Sequence, residues 1–318
     1  MKSPDKECIA VIGAGFIGKS LIRNFLIKGH DISVLDRNAC PAEFIGRVNW
    51  NVGNFNDQSA LTKVLQGTSV AYHLVSSTVP GDKHIGVAKE LQENVVGSLN
   101  FIDVCIDAGV QRIVFASSSS VYGIQDRFPI NEAASTDPVS AHGIHKLTLE
   151  KFLLLAQHLH GIDIRILRIS NPYGPEQSVL GRQGFVAIVV GCLLRDAPLT
   201  LRDMGSLVRD FIYIDDLAEG LVCSGLLDGL PPIINIGSGK GYTLHEVVEV
   251  IEECAGRKVK ITSAEARSED IPVSIMDIEL AHSLMAFTPV VELHRGIART
   301  LISHGFQLNE LENHRNIS

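Results

Sequence analysis

Paired cysteines are missing from this chain. Cys8, Cys40, Cys105, Cys192, Cys223 and Cys254 are scattered over 318 residues without a C-x-x-C pair, so neither a disulfide framework nor a zinc knuckle is expected, and a reducing cytoplasm suits the chain best. No metal site is expected. A long basic run is also absent. With 36 acidic against 28 basic residues the net charge is −8, so no nucleic-acid groove and no polybasic membrane patch is expected, although a few placed groups can still hold a single nucleotide. Apolar runs are short. Met1 to Glu7 is polar with charges of both signs, glycines cut the stretch after Ile12, and the next apolar run, Phe185 to Leu194, is half the ~20 residues that cross a bilayer. Neither a signal peptide nor a membrane helix is expected. Charged residues at 20% beside hydrophobic ones at 45% argue against a disordered chain, a coiled coil or a collagen-like repeat.

Glycine is the residue in excess, 28 in all. The length is about twice that of a typical domain, so two domains or one large α/β unit is expected. Short β-branched runs alternate with longer helical segments: strands at Cys8 to Ile12, Asp31 to Leu35, Val48 to Asn51, Val70 to Val75, Arg112 to Ala116 and Asp163 to Arg168, and helices at Gly18 to Lys28, Ser59 to Leu65, Lys89 to Ala108 and Gly143 to His160. Strands separated by helices imply right-handed crossovers and a doubly wound parallel sheet. After Asn171 the pattern loosens, with helices near Phe185 to Leu194 and Thr243 to Ala255 and a strand at Ile233 to Ile236. The helix over Lys89 to Ala108 carries a stripe, Leu91, Val95, Leu99, Ile102 and Ile106, plus a second one, and Phe152 to Leu155 point all round the next helix. Such helices need cover on both sides, from a thick core or from a dimer that pairs them; a homodimer is expected.

Ile9 to Gly18 reads as a strand entering G-x-G-x-x-G (Gly13, Gly15, Gly18) and then a helix. Glycine is required where backbone N–H groups must approach a pyrophosphate, and the helix N-terminus adds partial positive charge. Asp36 ends the next strand, where a carboxylate accepts both ribose hydroxyls and repels a 2′-phosphate, so NAD is expected over NADP, with Arg37 beside it as the dissenting residue.

Further along stand His73-Leu-Val, Asn94-Val-Val-Gly-Ser-Leu-Asn100, Ser117-Ser-Ser-Ser-Val-Tyr-Gly123, Arg168-Ile-Ser-Asn-Pro-Tyr-Gly-Pro175, Arg209-Asp-Phe-Ile-Tyr-Ile-Asp-Asp216 and Asn235-Ile-Gly-Ser-Gly239. In this order the motifs resemble the extended short-chain dehydrogenase/reductases, specifically the nucleotide-sugar epimerases and dehydratases. The resemblance implies an NAD-binding Rossmann domain over residues 1–170 with a return segment near 210–236, and a smaller α/β nucleotide-sugar-binding domain over 171–209 and 237–318. It implies oxidation of a sugar hydroxyl at C4 to a ketone by hydride transfer. By motif match, Ser118 bonds the reacting oxygen and Lys146 holds the nicotinamide ribose. Gly13, Gly15, Phe16, Ile17, Gly18, Asp36, Asn54, Phe55, Leu74, Val75 and Ser76 complete the cofactor site. Ser77, Thr78, Ser119, Asn171, Arg182, Arg209 and Arg267 are the substrate-binding candidates, with the asparagine and arginines at the diphosphate.

The main departure is at the base. The family's Y-x-x-x-K appears as His142-Gly-Ile-His-Lys146, so histidine stands where tyrosine is expected. Neutral imidazole is a competent base, but a proton makes it a cation beside Lys146 and NAD⁺, where tyrosinate would become neutral. Three readings stay open: His142 as a working acid/base, a weakened enzyme that relies on Ser118, another residue or water, and a homologue that binds nucleotide-sugar without turnover. His145, one turn on, reads as a surface or interface residue. Ser119 and Ser120 occupy the places where dehydratases of the family carry acids, which favours a UDP-sugar 4-epimerase, with a ketosugar reductase next. The substrate is expected to be a UDP-hexose or its N-acetyl derivative. Two smaller departures are Ile12, where the family commonly has glycine, and Gly53-Asn-Phe55, where it has Gly-Asp-Ile at the adenine.

Overall fold

Alternate residues of the central strands enter two different cores, which is why those strands are apolar throughout. The computed structural model describes residues 7–76, 87–181, 183–265, 267 and 270–308. In chain order the strands are β1 (Cys8–Ile12), β2 (Asp31–Asp36), β3 (Asn49–Val52), β4 (Val70–His73), β5 (Arg112–Ser118), β6 (Asp163–Ile169), β7 (Asn171–Tyr173), β8 (Leu199–Arg202), β9 (Val208–Tyr213), β10 (Ile233–Ile236), β11 (Gly241–Thr243), β12 (Ile261–Ala264) and β13 (Val273–Ser274). The helices are α1 (Phe16–Lys28), α2 (Gln58–Leu65), α3 (Val87–Leu91), α4 (Gly97–Asp107), α5 (Ala141–His160), α6 (Phe185–Arg195), α7 (Ile214–Leu226), α8 (Leu244–Ala255), α9 (Glu279–Met285) and α10 (Leu293–Ser303). Ile9 and Val11 of β1 face one core with α1 and α7, whereas Ala10 and Ile12 face the other with α2, α4 and α5. This is the burial of a parallel sheet covered on both faces.

The main sheet has seven parallel strands in the order β10-β6-β5-β4-β1-β2-β3. The chain runs outward from β1 to β3 and then back across to β4, so the order reverses between β1 and β4. In such folds ligands enter the crevice at that reversal, beyond the carboxyl ends of the strands. A second sheet has β9 at its centre, parallel to β7 and β13 and antiparallel to β11, and β8 and β12 form a parallel pair. The segment expected to return near 210–236 divides: β9 lies in the second sheet, whereas α7 packs on α1, β5 and β6, and β10 completes the main sheet beside β6.

Local chemistry places the helix ends. Asp57 accepts from the Ser59 and Ala60 N–H groups at the start of α2, Ser140 accepts from Gly143 N–H at 3.2 Å at the start of α5, and Thr243 and Glu246 form a capping box on α8. Each such cap contributes about 1 kcal/mol. Gly29, Gly161 and Gly256 end α1, α5 and α8 in the left-handed conformation. The helix expected over Lys89 to Ala108 is interrupted by a wide π turn at Gln92–Val96. There the Asn94 amide donates to the Glu90 carbonyl at 2.9 Å and the Ser98 hydroxyl donates to the Asn94 carbonyl at 2.5 Å. The extra residue shifts the helical phase, so Leu91, expected in the buried stripe, is 47% exposed while Val95 and Ile102 are buried.

Candidate active site

At the reversal point the glycine loop leaves β1 with Gly13 at φ +96° and its N–H bonded to the Leu35 carbonyl. A Cβ on Gly18 would stand 2.2 Å from the Gly13 carbonyl oxygen, so Gly18 serves the packing of the loop on itself. Gly15 is different. A Cβ there meets no protein atom within 4 Å, and Gly15 lines a cleft of about 390 Å³, so a side chain would enter that space. Gly15 also caps α1 without any side chain, which leaves the first N–H groups of the helix available to an anion. The cradle therefore fits a dinucleotide pyrophosphate.

The cleft is lined by Gly13, Gly15, Asp36, Asn54, Phe55, Leu74, Val75 and Ser76, all named from the sequence, and also by Arg37, Asn38, Asn56 and Glu93. Phe16 and Ile17, at the start of α1, are half-buried against the core below it. Asp36 Oδ2 accepts from Ala14 N–H at 2.7 Å, and Oδ1 accepts from the Asn38 backbone N–H at 2.8 Å and its side-chain amide at 2.9 Å. The carboxylate is thus fixed in the cleft beside the glycine loop.

The second part of the site forms where β5 meets α5. Ser118 ends β5 and its Oγ accepts from the Ser120 N–H at 3.2 Å and from the Ser120 hydroxyl at 2.9 Å, which shapes a tight turn through Ser119. That turn rests on the first turn of α5: a Cβ on Gly143 would stand 2.6 Å from the Ser120 carbonyl oxygen. Glycine at this position brings Ser118 to Ser120 against the helix that carries His142 and Lys146. Lys146 Nζ donates to the Ala116 carbonyl at 2.6 Å and lies 4.6 Å from the centre of the Phe115 ring. Both partners are neutral, and burial lowers its pKa to about 8 despite Glu150 one turn on. His142 is buried, and burial, then Lys146, then His145 hold its pKa down at about 3. The imidazole is neutral at every physiological pH, and its protonation is disfavoured by ~5 kcal/mol relative to water.

Behind these groups Glu150 and Arg168, both buried, form a bidentate pair at 2.7 to 3.3 Å, and Ser117 donates to Glu150 at 2.5 Å. Arg168 stacks on Tyr122, whose hydroxyl donates to Asn235 at 2.7 Å. His145 is buried rather than at the surface, facing Glu90, and its Nδ1 has no hydrogen-bond partner among the described residues. It is one turn from His142 inside the core, where the sequence suggested a surface or interface residue. The π turn packs on α5 beside it.

On the smaller half, Asn171 donates to the Asp210 carbonyl at 2.9 Å. Arg209 is half-buried, and burial lowers its pKa against the pull of Asp270; Asp270 also accepts from the Arg267 N–H at 2.8 Å. The Arg267 side chain is exposed. Asp210 accepts from Ser238 N–H, Ser238 Oγ, Gly239 N–H and Met276 N–H, which ties β9 to the turn after β10. Ser77, Thr78 and Arg182 lie outside the described residues.

Comparison with known proteins agrees with this architecture. The family model described as the NAD dependent epimerase/dehydratase family matches residues 9–237. A dTDP-4-dehydro-6-deoxyglucose reductase from Escherichia coli is 32% identical over 304 residues, covering 92% of this chain and 95% of the relative. A UDP-glucose 4-epimerase from Thermotoga maritima, solved with UDP-glucose, superposes with a TM-score of 0.86 at 26% identity, covering 93% of this chain and 98% of that one. A Thermus thermophilus UDP-glucose 4-epimerase in complex with NAD gives a TM-score of 0.83 at 26% identity, covering 94% and 99%. With a Rossmann-like sheet, a glycine cradle at its reversal point and a family model that matches most of its length, this chain belongs to the NAD-dependent epimerase/dehydratase family, with NAD as its cofactor.

Proposed function

We propose that the chain is a nucleotide-sugar 4-epimerase that acts through a transient 4-keto sugar on a UDP-hexose or its N-acetyl derivative. The observation that carries this reading is the turn Ser118 to Ser120 seated on the first turn of α5, with serines at 119 and 120 and a lysine one turn beyond His142. A turn without carboxylates suits reversible oxidation at one carbon better than elimination of water. The UDP-glucose 4-epimerases of matching fold support the substrate class. Asn171, Arg209 and Arg267 are assigned to the diphosphate, Ser119 to the sugar, and Ser77, Thr78 and Arg182 remain sequence candidates for the same pocket. NAD, when bound, supplies the hydride acceptor.

The chain's own residues have three tasks. The glycine loop and Asp36 hold the dinucleotide, Ser118 hydrogen-bonds the sugar oxygen, and His142 takes and returns its proton. Because Lys146 opposes a positive imidazole, that proton transfer is fastest when Lys146 is itself neutral. Residues 1–170 with α7 and β10 serve the cofactor, and the second sheet serves the sugar nucleotide. A homodimer is assigned to the exposed apolar face of α5, where Phe152, Leu155 and Leu159 share one side of the helix at 42%, 47% and 63% exposure.

The 32% identical reductase favours a second reading, reduction of a 4-keto sugar. NMR of a UDP-hexose panel separates the two: net epimerisation without added NADH supports the first, and stoichiometric loss of NADH with a ketosugar supports the second. Tight binding of NAD and UDP-sugar with no turnover in either assay would overturn both in favour of a binding protein.

A further inference from the structure

Adenine presents an edge on which a ring nitrogen acceptor lies beside the donor N–H of the 6-amino group. A site that reads this edge needs one donor and one acceptor. Asn54 lines the cleft, but its Oδ1 accepts the Asn56 N–H at 2.9 Å, which commits the oxygen to the turn and gives the residue its Nδ2 donor to offer. The Asp36 oxygens are engaged by Ala14 and Asn38. One further carboxylate lines the same cleft among the described residues, that of Glu93.

Glu93 is half-buried and sits inside the π turn, one helical turn before Gly97. At Gly97 the helix presses on the segment that carries Asn54: a Cβ there would stand 2.2 Å from Asn56 Oδ1 and 3.1 Å from the Phe55 ring. The missing side chain thus lets the π turn close against the 53–56 loop and brings Glu93 to the wall that Asn54 shares. Its ion pair with Lys89 is long, 3.8 Å, and Lys89 is largely exposed, so the carboxylate is only weakly held by it.

We propose that Glu93 is the adenine-reading residue of this cleft: its carboxylate accepts an N–H of the 6-amino group while Asn54 Nδ2 donates to the adjacent ring nitrogen. The assignment rests on NAD as the cofactor. Nicotinamide hypoxanthine dinucleotide tests it, because replacing the amino group by a carbonyl sets an acceptor against the carboxylate. In competition for the purified chain, with the bound dinucleotide released by denaturation and quantified by chromatography, wild type should prefer NAD by roughly tenfold or more, the range of a lost hydrogen bond to a charged group. Glu93→Gln, whose amide turns either a donor or an acceptor outward, should bring the ratio near one, and Lys89→Ala should leave it as in wild type. Equal retention of the two dinucleotides by wild type, or an unchanged preference in Glu93→Gln, would overturn the assignment. Retention of neither would instead overturn the cofactor reading, and a melting curve of the Gln variant separates lost discrimination from lost folding.

Discussion

His142 stands where a proton is opposed from several directions: by a desolvated core, by Lys146 one turn away and by His145 on the same helix face. Its pKa of about 3 means that acidification from pH 7 to 5 does not protonate it, so the rate should stay flat across that range instead of falling near the ordinary imidazole pKa. Lys146 behaves differently. With its pKa lowered to about 8, it loses its charge between roughly pH 7 and 9, which removes the opposition to a protonated imidazole. The epimerisation rate should therefore rise several-fold across that interval. A pH–rate profile with a single ascending limb near pH 8 checks this, and a limb near 6.5 would contradict it. Replacing the imidazole by a phenol reverses the sign of the effect, since tyrosinate is stabilised by the same lysine. His142→Tyr should raise kcat by tenfold or more, and His142→Phe should remove turnover while leaving NAD bound, both measurable with the UDP-hexose panel.

At the scale of elements, α5 does three things at once. Its first two turns carry His142 and Lys146, its middle carries Glu150 into the buried pair with Arg168, and its outer face exposes Phe152, Leu155 and Leu159. Breaking the buried pair leaves an uncompensated charge, so Glu150→Leu should destabilise the protein by about 3–5 kcal/mol, seen as a shifted denaturation midpoint. Introducing charge on the outer face by Leu155→Glu should instead yield a monomer of unchanged secondary structure in light scattering. Much of this was legible in sequence because it is local or motif-borne: the Gly13 to Gly18 loop, Asp36, the Ser118 turn and the Gly161 stop are all set by neighbours in the chain. What was not legible depends on tertiary approach. Glu93 reaches the cleft only because a π turn, invisible in the hydrophobic period, shifts the helix phase and Gly97 lets Asn56 close in. Likewise Asp210, part of a recognised motif, is seen to organise the turn at Ser238 only once β9 is placed in the second sheet rather than the first.

For the molecule as a whole, the buried histidines link folding to acidity. His73 lies among Phe55, Phe101 and Phe115, bonded to Ser98 at 2.8 Å, and burial, with Lys146, lowers its pKa to about 3, as in His142. Below pH 6.5 the unfolded chain takes protons on both rings that the native state refuses until about pH 3, so the unfolded state binds more protons and stability falls as pH falls. Each ring contributes up to about 1.4 kcal/mol per pH unit in this window. Carboxylates with ordinary values remain mostly ionised above pH 5, so the loss between pH 6.5 and 5 is dominated by histidines. His73→Phe should fit among three phenylalanines and remove one of these protons, so the fall in melting temperature of the NAD-bound protein between pH 7 and 5 should become smaller, with His142 and the histidines His30, His145 and His304, which burial also holds below the ordinary value, keeping the remainder. Thermal scans of wild type and this variant at half-unit pH steps would show two curves that run together near pH 7 and part below pH 6.5, the variant falling less, and parallel curves would mean that the acid sensitivity lies elsewhere in the fold.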